Sequence, residues 1–288
     1  MSYFGFLAVF LVIPIALLGL VARRDAQRGV ALPAALRSWP ARLIILAHVI
    51  IAVVYTTPWD NYLVATRVWW YDPNLVTGIL IGYVPIEEYT FFVLQPILTG
   101  LWLVLLMRHL PASTAVHPNG IRYRRLITAL TSLIWLASAA ILVAGWRPGT
   151  YLGLLLVWAL PPLMLQFAFG ADILWRHRRV VWLSIIPMTL YLSAADKLAI
   201  TSGTWTINPE QSLQIYLLGR LPLEELLFFF MTNTLITMGI TLVLAVESKA
   251  RAARYVRALQ RRLPWSKPRP ALGVADPTAD GWREAEIS

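Results

Sequence analysis

The sequence predicts an all-α polytopic membrane protein of about seven transmembrane helices, and three observations lead to that prediction. Hydrophobic residues make up 58% of the 288-residue chain and charged residues only 14%, whereas soluble domains average about 45–50% and about 25%. Apolar stretches long enough to cross a bilayer recur along the chain. The loops between them alternate between arginine-rich and arginine-poor. Segments that cross lipid must satisfy their own backbone hydrogen bonds, so we expect each to be a helix.

Seven stretches are apolar and long enough to cross a membrane. Their expected bounds are residues 3–22, 41–57, 76–107, 126–144, 150–170, 180–197 and 211–246. The third and seventh exceed the required length, so we expect them to tilt, kink or extend beyond the hydrocarbon. No positive region precedes the first stretch, and Arg23 and Arg24 follow it. That pattern predicts an uncleaved first helix and not a signal peptide.

Loop charge predicts the orientation of these helices. Basic residues cluster in alternate loops and in the C-terminal tail: Arg23, Arg24, Arg28, Arg37 and Arg42; then Arg108, Arg122, Arg124 and Arg125; then Arg176, Arg178 and Arg179; and last Lys249, Arg251, Arg254, Arg257, Arg261 and Arg262. The intervening loops contain few basic residues. The positive-inside rule therefore places the N-terminus outside the cell membrane and the C-terminus in the cytoplasm. The net charge of +10 is explained by topology, so we predict no nucleic-acid partner.

The chain also contains an internal repeat. The motif PIEEYTFF at Pro85–Phe92 returns as PLEELLFF at Pro222–Phe229. Upstream of the two motifs, further residues match in pairs: Asp60 with Asp196, Trp69 with Trp205, and Pro73 with Pro209. This pattern predicts a duplicated three-helix unit. The expected domains are a first repeat at 1–110, a linking helix at 111–148, a second repeat at 149–246 and a tail at 247–288.

The linking helix has a geometric consequence. It makes the two repeats parallel, related by an axis near the membrane normal. Both glutamate pairs then lie at the same depth, and we expect one composite site between the halves. The basic start of the tail predicts a short helix on the anionic inner surface, followed by disorder beyond Pro264.

Two interpretations of the paired glutamates are open. If the helices begin at Pro85 and Pro222, the acidic residues lie in the first turn, where they suit the helix dipole and face the headgroups. If the third helix begins near Leu75, Glu87 lies about 15 Å deep and Pro85 marks a kink. We favour the buried position, because apolar residues precede both motifs, GILIGYV the first and IYLLG the second. An acidic pair inside a membrane helix indicates a functional site.

The chemistry of such a site follows from its residue types. Desolvation favours the neutral form of a carboxyl group, and two neighbouring carboxyls titrate as a coupled pair. An acid thus lies beside a base. Aromatic faces stabilise cations in dry surroundings, and they are supplied here by Phe91, Phe92, Phe228 and Phe229. This combination indicates carbocation chemistry on a lipid-soluble alkene.

Six further residues are candidates for substrate-binding or supporting roles. Trp69 and Trp205 are candidate substrate-binding residues at the entrance, although tryptophan more often anchors a protein at the membrane interface. Asp60 and Asp196 could orient the glutamates or bind water, or be ordinary loop residues. Pro85 and Pro222 would hold the backbone of each motif.

Two copies of P-x-E-E followed by F-F, in a duplicated hydrophobic chain, resemble the membrane-integral lycopene cyclases in their fused form. The resemblance covers residues 1–245. It implies acid/base-catalysed cyclisation of the ends of lycopene or a related carotenoid, β rings being expected, without net redox change. It assigns the catalysis to Glu87, Glu88, Glu224 and Glu225, with no cofactor and no metal. The implied partners are the carotenoid, membrane lipid and other carotenoid-pathway enzymes.

Particular residues exclude some other functional classes and leave others open. A retinal-binding protein needs a lysine in its last membrane helix, and residues 211–246 contain none. The chain has no G-x-G-x-x-G sequence, so no dinucleotide is implied. A small transporter built from repeats, in which buried glutamates carry protons, stays open. So does a cyclase or hydratase that acts on another carotenoid.

Overall fold

The structure, a computed structural model, describes residues 1–111, 113 and 118–262. It contains seven helices that are long and apolar enough to cross a membrane, which confirms the predicted fold class. They are α1 (Tyr3–Gln27), α2 (Ala41–Ala65), α3 (Ile86–His109), α4 (Gly120–Val143), α5 (Thr150–Arg176), α6 (Arg178–Thr201) and α7 (Leu223–Leu244). An eighth helix, α8 (Val246–Arg262), lies in the basic tail. The disorder predicted beyond Pro264 falls outside the described residues.

Residues Met1–Lys249 form one compact unit, and the chain from Ala250 onward belongs to another. Within the first unit, α3 and α7 are the most buried helices and pack against each other. Side-chain hydrogen bonds join them: Gln95 donates to Thr232 over 2.7 Å, and Thr99 donates to Asn233 over 2.8 Å. Such bonds hold membrane helices together because lipid offers no alternative partner. They fix the N-termini of α3 and α7 side by side.

Short strands fill the loops at those N-termini. They are β1 (Trp69–Tyr71), β2 (Leu80–Ile81), β3 (Val84–Pro85), β4 (Trp205–Ile207), β5 (Tyr216–Leu217) and β6 (Leu221–Pro222). Strands β2 and β3 form one antiparallel hairpin, and β5 and β6 form another. Strands β1 and β4 pair with each other, Trp69 lying opposite Ile207 and Tyr71 opposite Trp205. The long loops of the two halves therefore meet.

The helix start expected near Leu75 is wrong. Helix α3 begins at Ile86 and α7 begins one residue after Pro222. Pro85 is the N-cap of α3, so it starts the helix and does not kink it. Proline suits this position because its fixed φ is compatible with a helix start and its missing N–H would have no helical partner there. The apolar residues ahead of each proline form the hairpins.

Prolines within α5 and α6 leave carbonyls without their usual helical donor. In lipid such a carbonyl needs another partner, and side chains from neighbouring helices supply it. Pro162 leaves the carbonyl of Trp158 free, and the hydroxyl of Tyr55 donates to it over 2.8 Å. Pro161 leaves that of Val157 free, and Trp135 Nε1 donates to it over 3.2 Å. Pro187 leaves that of Leu183 free, and Trp102 Nε1 donates to it over 3.3 Å. Each proline thus fixes a contact between helices.

Candidate active site

The glutamates lie in the first turns of α3 and α7, and the first glutamate of each pair is buried within the protein. The side chains of Glu87 and Glu224 are 1% and 0% exposed. Their burial comes from the hairpins, which fold back ahead of each helix, and not from depth along a longer helix. The prediction of burial is therefore correct for Glu87, whereas the reason given for it is wrong.

The first glutamate of each pair holds the loop ahead of its own helix. Glu87 Oε1 accepts a hydrogen bond from the backbone N–H of Thr77 over 2.6 Å. Glu224 Oε1 accepts one from the backbone N–H of Leu213 over 2.7 Å. A carboxylate that accepts from a backbone amide makes a strong, charge-assisted bond. Both glutamates therefore tie a loop to the start of a helix.

The second glutamate of each pair faces a cavity. Successive helical residues point about 100° apart, so Glu88 and Glu225 turn away from the loops. Glu88 accepts hydrogen bonds from the hydroxyl of Tyr3 and from that of Tyr71, the latter over 3.1 Å. Glu225 accepts one from the hydroxyl of Tyr151 over 2.7 Å. Each cavity-facing carboxyl is thus oriented by at least one phenol.

The cavity between these carboxyls measures about 50 Å³ and draws its walls from both halves of the chain. Glu88 and Glu225 border it together with Tyr3, Phe6, Trp69, Tyr71, Phe91, Tyr151, Asp196, Trp205, Ile207, Phe228 and Phe229. Most of this lining is aromatic. The arrangement places two carboxyl groups from different helices against one aromatic-walled space.

Asp196 and Asp60 are both buried near the carboxyl pair. Asp196 Oδ1 accepts a hydrogen bond from Trp205 Nε1 over 2.9 Å, and the residue borders the cavity. Asp60 is 1% exposed, and neither of its carboxyl oxygens has a hydrogen-bond partner among the described residues. Burial of a charge without a partner is costly.

Tyr71 lies in strand β1, outside the membrane helices, and interacts with Asp60 and Glu88. Burial raises the pKa of its phenol well above the ordinary value, and the carboxyls of Asp60 and Glu88 raise that pKa further. The phenol therefore keeps its proton at physiological pH. It serves Glu88 as a hydrogen-bond donor.

Five of the six aromatic residues expected to contact substrate border the cavity: Trp69, Trp205, Phe91, Phe228 and Phe229. Phe92 lines a neighbouring apolar cavity. The rings contact one another closely, with centroids 5.2 Å apart for Phe228 and Phe229 and 5.3 Å apart for Trp69 and Tyr151. The structure thus brings together most of the residues singled out from the sequence.

Sequence reasoning missed the three tyrosines that bond the cavity-facing glutamates. A signal for two of them was present. The stretch Ser2-Tyr3-Phe4-Gly5 resembles Thr150-Tyr151-Leu152-Gly153. Each begins with a small hydroxyl residue, continues with tyrosine and ends with glycine. Aligning the starts of the first helices of the two repeats, residue by residue, would have paired Tyr3 with Tyr151. Nothing in the local sequence marks Tyr71.

Comparison with known proteins shows the family of this chain. The profile of the lycopene cyclase family matches residues 1–110 and 148–244. A lycopene beta-cyclase from Halobacterium salinarum is 40% identical over 243 residues, which cover 84% of this chain and 95% of that protein. A bifunctional lycopene cyclase/phytoene synthase from Sporisorium reilianum is 38% identical over 204 residues, which cover 68% of this chain and 29% of that protein. No solved structure matches the chain.

Proposed function

The chain belongs to the lycopene cyclase family, and on that premise we propose that it closes the linear ends of lycopene into β rings by acid/base catalysis in the membrane. One observation carries the proposal: Glu88 and Glu225, from different halves, border a single aromatic-walled cavity. An acid and a base on one reacting group are what this ring closure requires. The β ring is proposed because the Halobacterium salinarum relative is named a lycopene beta-cyclase.

The reaction follows from that pair of carboxyls. One of them, in its protonated form, delivers its proton to the terminal double bond of the polyene and leaves a tertiary cation. The next double bond attacks this cation, closes the ring through a new carbon–carbon bond and moves the positive charge into the ring. A carboxylate then removes the proton from the ring carbon that formed the bond, and the C–H electron pair becomes the ring double bond. One proton enters and one leaves, so the product is an isomer of the substrate.

The surrounding side chains orient the acids and stabilise the cation. Tyr3 and Tyr71 hold Glu88 by two hydrogen bonds, and Tyr151 holds Glu225. Aromatic faces attract cations most strongly in a dry site, and we assign that role to the rings along the cavity, among them Phe91, Phe228, Phe229, Trp69 and Trp205. The same rings exclude water, which would otherwise capture the cation as an alcohol.

The proposal gives the four motif glutamates two roles. We assign proton transfer to Glu88 and Glu225, because they face the cavity. Glu87 and Glu224 position the loops that cover it, through their bonds to Thr77 and Leu213. We also assign Asp60 and Asp196 a supporting role for the pair, which is one of the two alternatives that the sequence left open.

The membrane setting of the reaction is part of the proposal. Loop charge supports an N-terminus outside and a C-terminus in the cytoplasm of the cell membrane. Lycopene is a hydrocarbon, so it reaches the site from membrane lipid or from an associated enzyme of the carotenoid pathway. No cofactor takes part in the steps above.

Expression in a lycopene-accumulating bacterial host tests this function. We expect the wild-type chain to convert lycopene into monocyclic and dicyclic β-ring carotenes, identified by chromatography and absorption spectra. The double variant Glu88→Gln/Glu225→Gln is the control, because it keeps the size of both side chains and removes the acid and the base. Unchanged lycopene in cells whose membranes contain the wild-type protein would refute the proposal.

A further inference from the structure

A second cavity lies beside the carboxyl site and is lined by four helices. It measures about 250 Å³ and its surface is mainly apolar. Its lining residues come from α2, α3, α5 and α7, and thus from both halves of the chain. We name it the tail channel and define it by Ala52, Tyr55, Phe92, Trp158, Phe228 and Ile236.

The wall of the tail channel joins the wall of the carboxyl cavity. Phe228 borders both cavities. Trp158 stacks on Phe228 with 6.4 Å between ring centroids and on Tyr55 with 5.8 Å. From Phe228 to Ile236 the channel follows eight residues of α7, a rise of about 12 Å. It therefore leads away from Glu225, which lies in the first turn of that helix.

The outer end of the channel lies at the surface of the helix bundle. Ile51 lines it and is 58% exposed, whereas Phe92 at the inner end is buried. Exposed apolar side chains on a membrane-spanning helix face lipid. A hydrocarbon chain can thus enter the channel from the bilayer without crossing water.

Several polar groups of the channel lining bond to one another or to the backbone, whereas Trp158 Nε1 and Gln166 Oε1 have no hydrogen-bond partner among the described residues. Gln95 donates to Thr232, His48 Nδ1 bonds the carbonyl of Ile44, and Gln166 donates to the carbonyl of Leu235. Tyr55 donates its hydroxyl to the Trp158 carbonyl, opposite Pro162. Aromatic and aliphatic groups make up most of the remaining surface.

We propose that the tail channel holds the unreacted polyene chain behind the end group that is being cyclised. The inference rests on the proposed function and adds a substrate-binding site to it. The carboxyl cavity of about 50 Å³ has little room beyond the reacting end, whereas the polyene continues as a long, apolar chain. Among the described residues, the tail channel shares a lining residue with that cavity and opens towards lipid.

Substitution at Ala52 tests the channel. Ala52→Phe places an aromatic ring inside the channel, so the unreacted part of the polyene loses its binding site. We therefore expect KM for lycopene to rise at least about tenfold, with kcat retained. The matched control is Val54→Phe on the same helix, whose side chain is 69% exposed and lies outside the channel lining. We expect Val54→Phe to leave both constants unchanged. Both proteins are assayed as purified full-length chains in liposomes, and thermal unfolding reports their folding.

The outcomes separate this inference from the proposed function. An unchanged KM in Ala52→Phe means that the polyene does not occupy the cavity, and this result overturns the inference alone. A fall in kcat with unchanged KM places the damage at the carboxyl site and also overturns it. If Ala52→Phe does not accumulate in membranes, Ala52→Leu replaces it. Its side chain is smaller but still occupies the channel, and the same criteria apply. A wild-type chain that leaves lycopene uncyclised overturns both the proposed function and the channel.

Discussion

At the scale of single residues, the two glutamates of each motif differ in what they contact, although the sequence treats them alike. Glu87 binds a backbone amide of its own loop, and Glu88 faces the cavity with two phenol partners. A two-residue motif on a helix must split in this way, because successive side chains diverge by about 100°. Neither the repeat nor the apolar context distinguishes the two, so that difference could not be predicted from the sequence.

The same substitution at both positions tests this difference. We expect Glu88→Gln to lower kcat by at least about 100-fold, since it removes a proton-transfer group. Glu87→Gln keeps an Oε1 acceptor for the Thr77 amide, so we expect it to retain activity to within about tenfold. The measurement is lycopene turnover by purified protein, with thermal unfolding as the folding control. A greater loss of kcat in a folded Glu87→Gln protein would contradict the assigned roles.

At the scale of elements, hydropathy predicted all seven helices but misplaced where two of them begin. The stretch ahead of Pro85 is as apolar as the helix after it, yet its side chains at Ile79, Leu80 and Tyr83 are exposed on a hairpin. Within or near lipid, apolar residues suit both a helix and an exposed loop, so composition cannot distinguish them. The proline was the better signal, because it favours a helix start.

The first hairpin supplies a prediction about the site that it covers. Gly82 has φ +70°, and a Cβ there would lie 2.2 Å from Asn61 Oδ1, the atom that accepts from the Tyr83 amide. Gly219 occupies the matching turn with φ +89° and has nothing within 4 Å of such a Cβ. Both alanine variants incur left-handed backbone strain of about 1–2 kcal/mol. Only Gly82→Ala adds a clash, which costs about 1–3 kcal/mol more.

Thermal unfolding and lycopene turnover of the two variants measure that difference. We expect Gly82→Ala to unfold at a lower temperature than Gly219→Ala and to lose more activity, because the hairpin over Glu87 shifts. Equal losses in the two proteins would mean that the Asn61 contact does not hold the hairpin in place.

At the scale of the whole molecule, the central question is whether the two halves form one site or two. The duplication is a prediction from the sequence, and matched contacts favour it: each half contributes a Pro-capped helix, a loop-binding glutamate and a phenol-bonded glutamate. Paired strands β1 and β4 and the shared cavity place these groups together. The sequence predicted a shared site from the parallel orientation of the repeats. The pairing of the loops could not be predicted, since their strands are only three residues long.

One shared site restricts how a substrate with two identical ends can react. Each closure must use Glu88 and Glu225 together, so we expect Glu88→Gln alone and Glu225→Gln alone to abolish both the monocyclic and the dicyclic product. Two independent sites would give a different pattern, because each single variant would keep one intact site and still form rings.

In the wild-type protein the second end of the substrate can react only after the first has left the site and the molecule has re-entered. A time course by chromatography should therefore show the monocyclic carotene rise before the dicyclic one, and a dicyclic product that forms without this lag would require two sites acting at once.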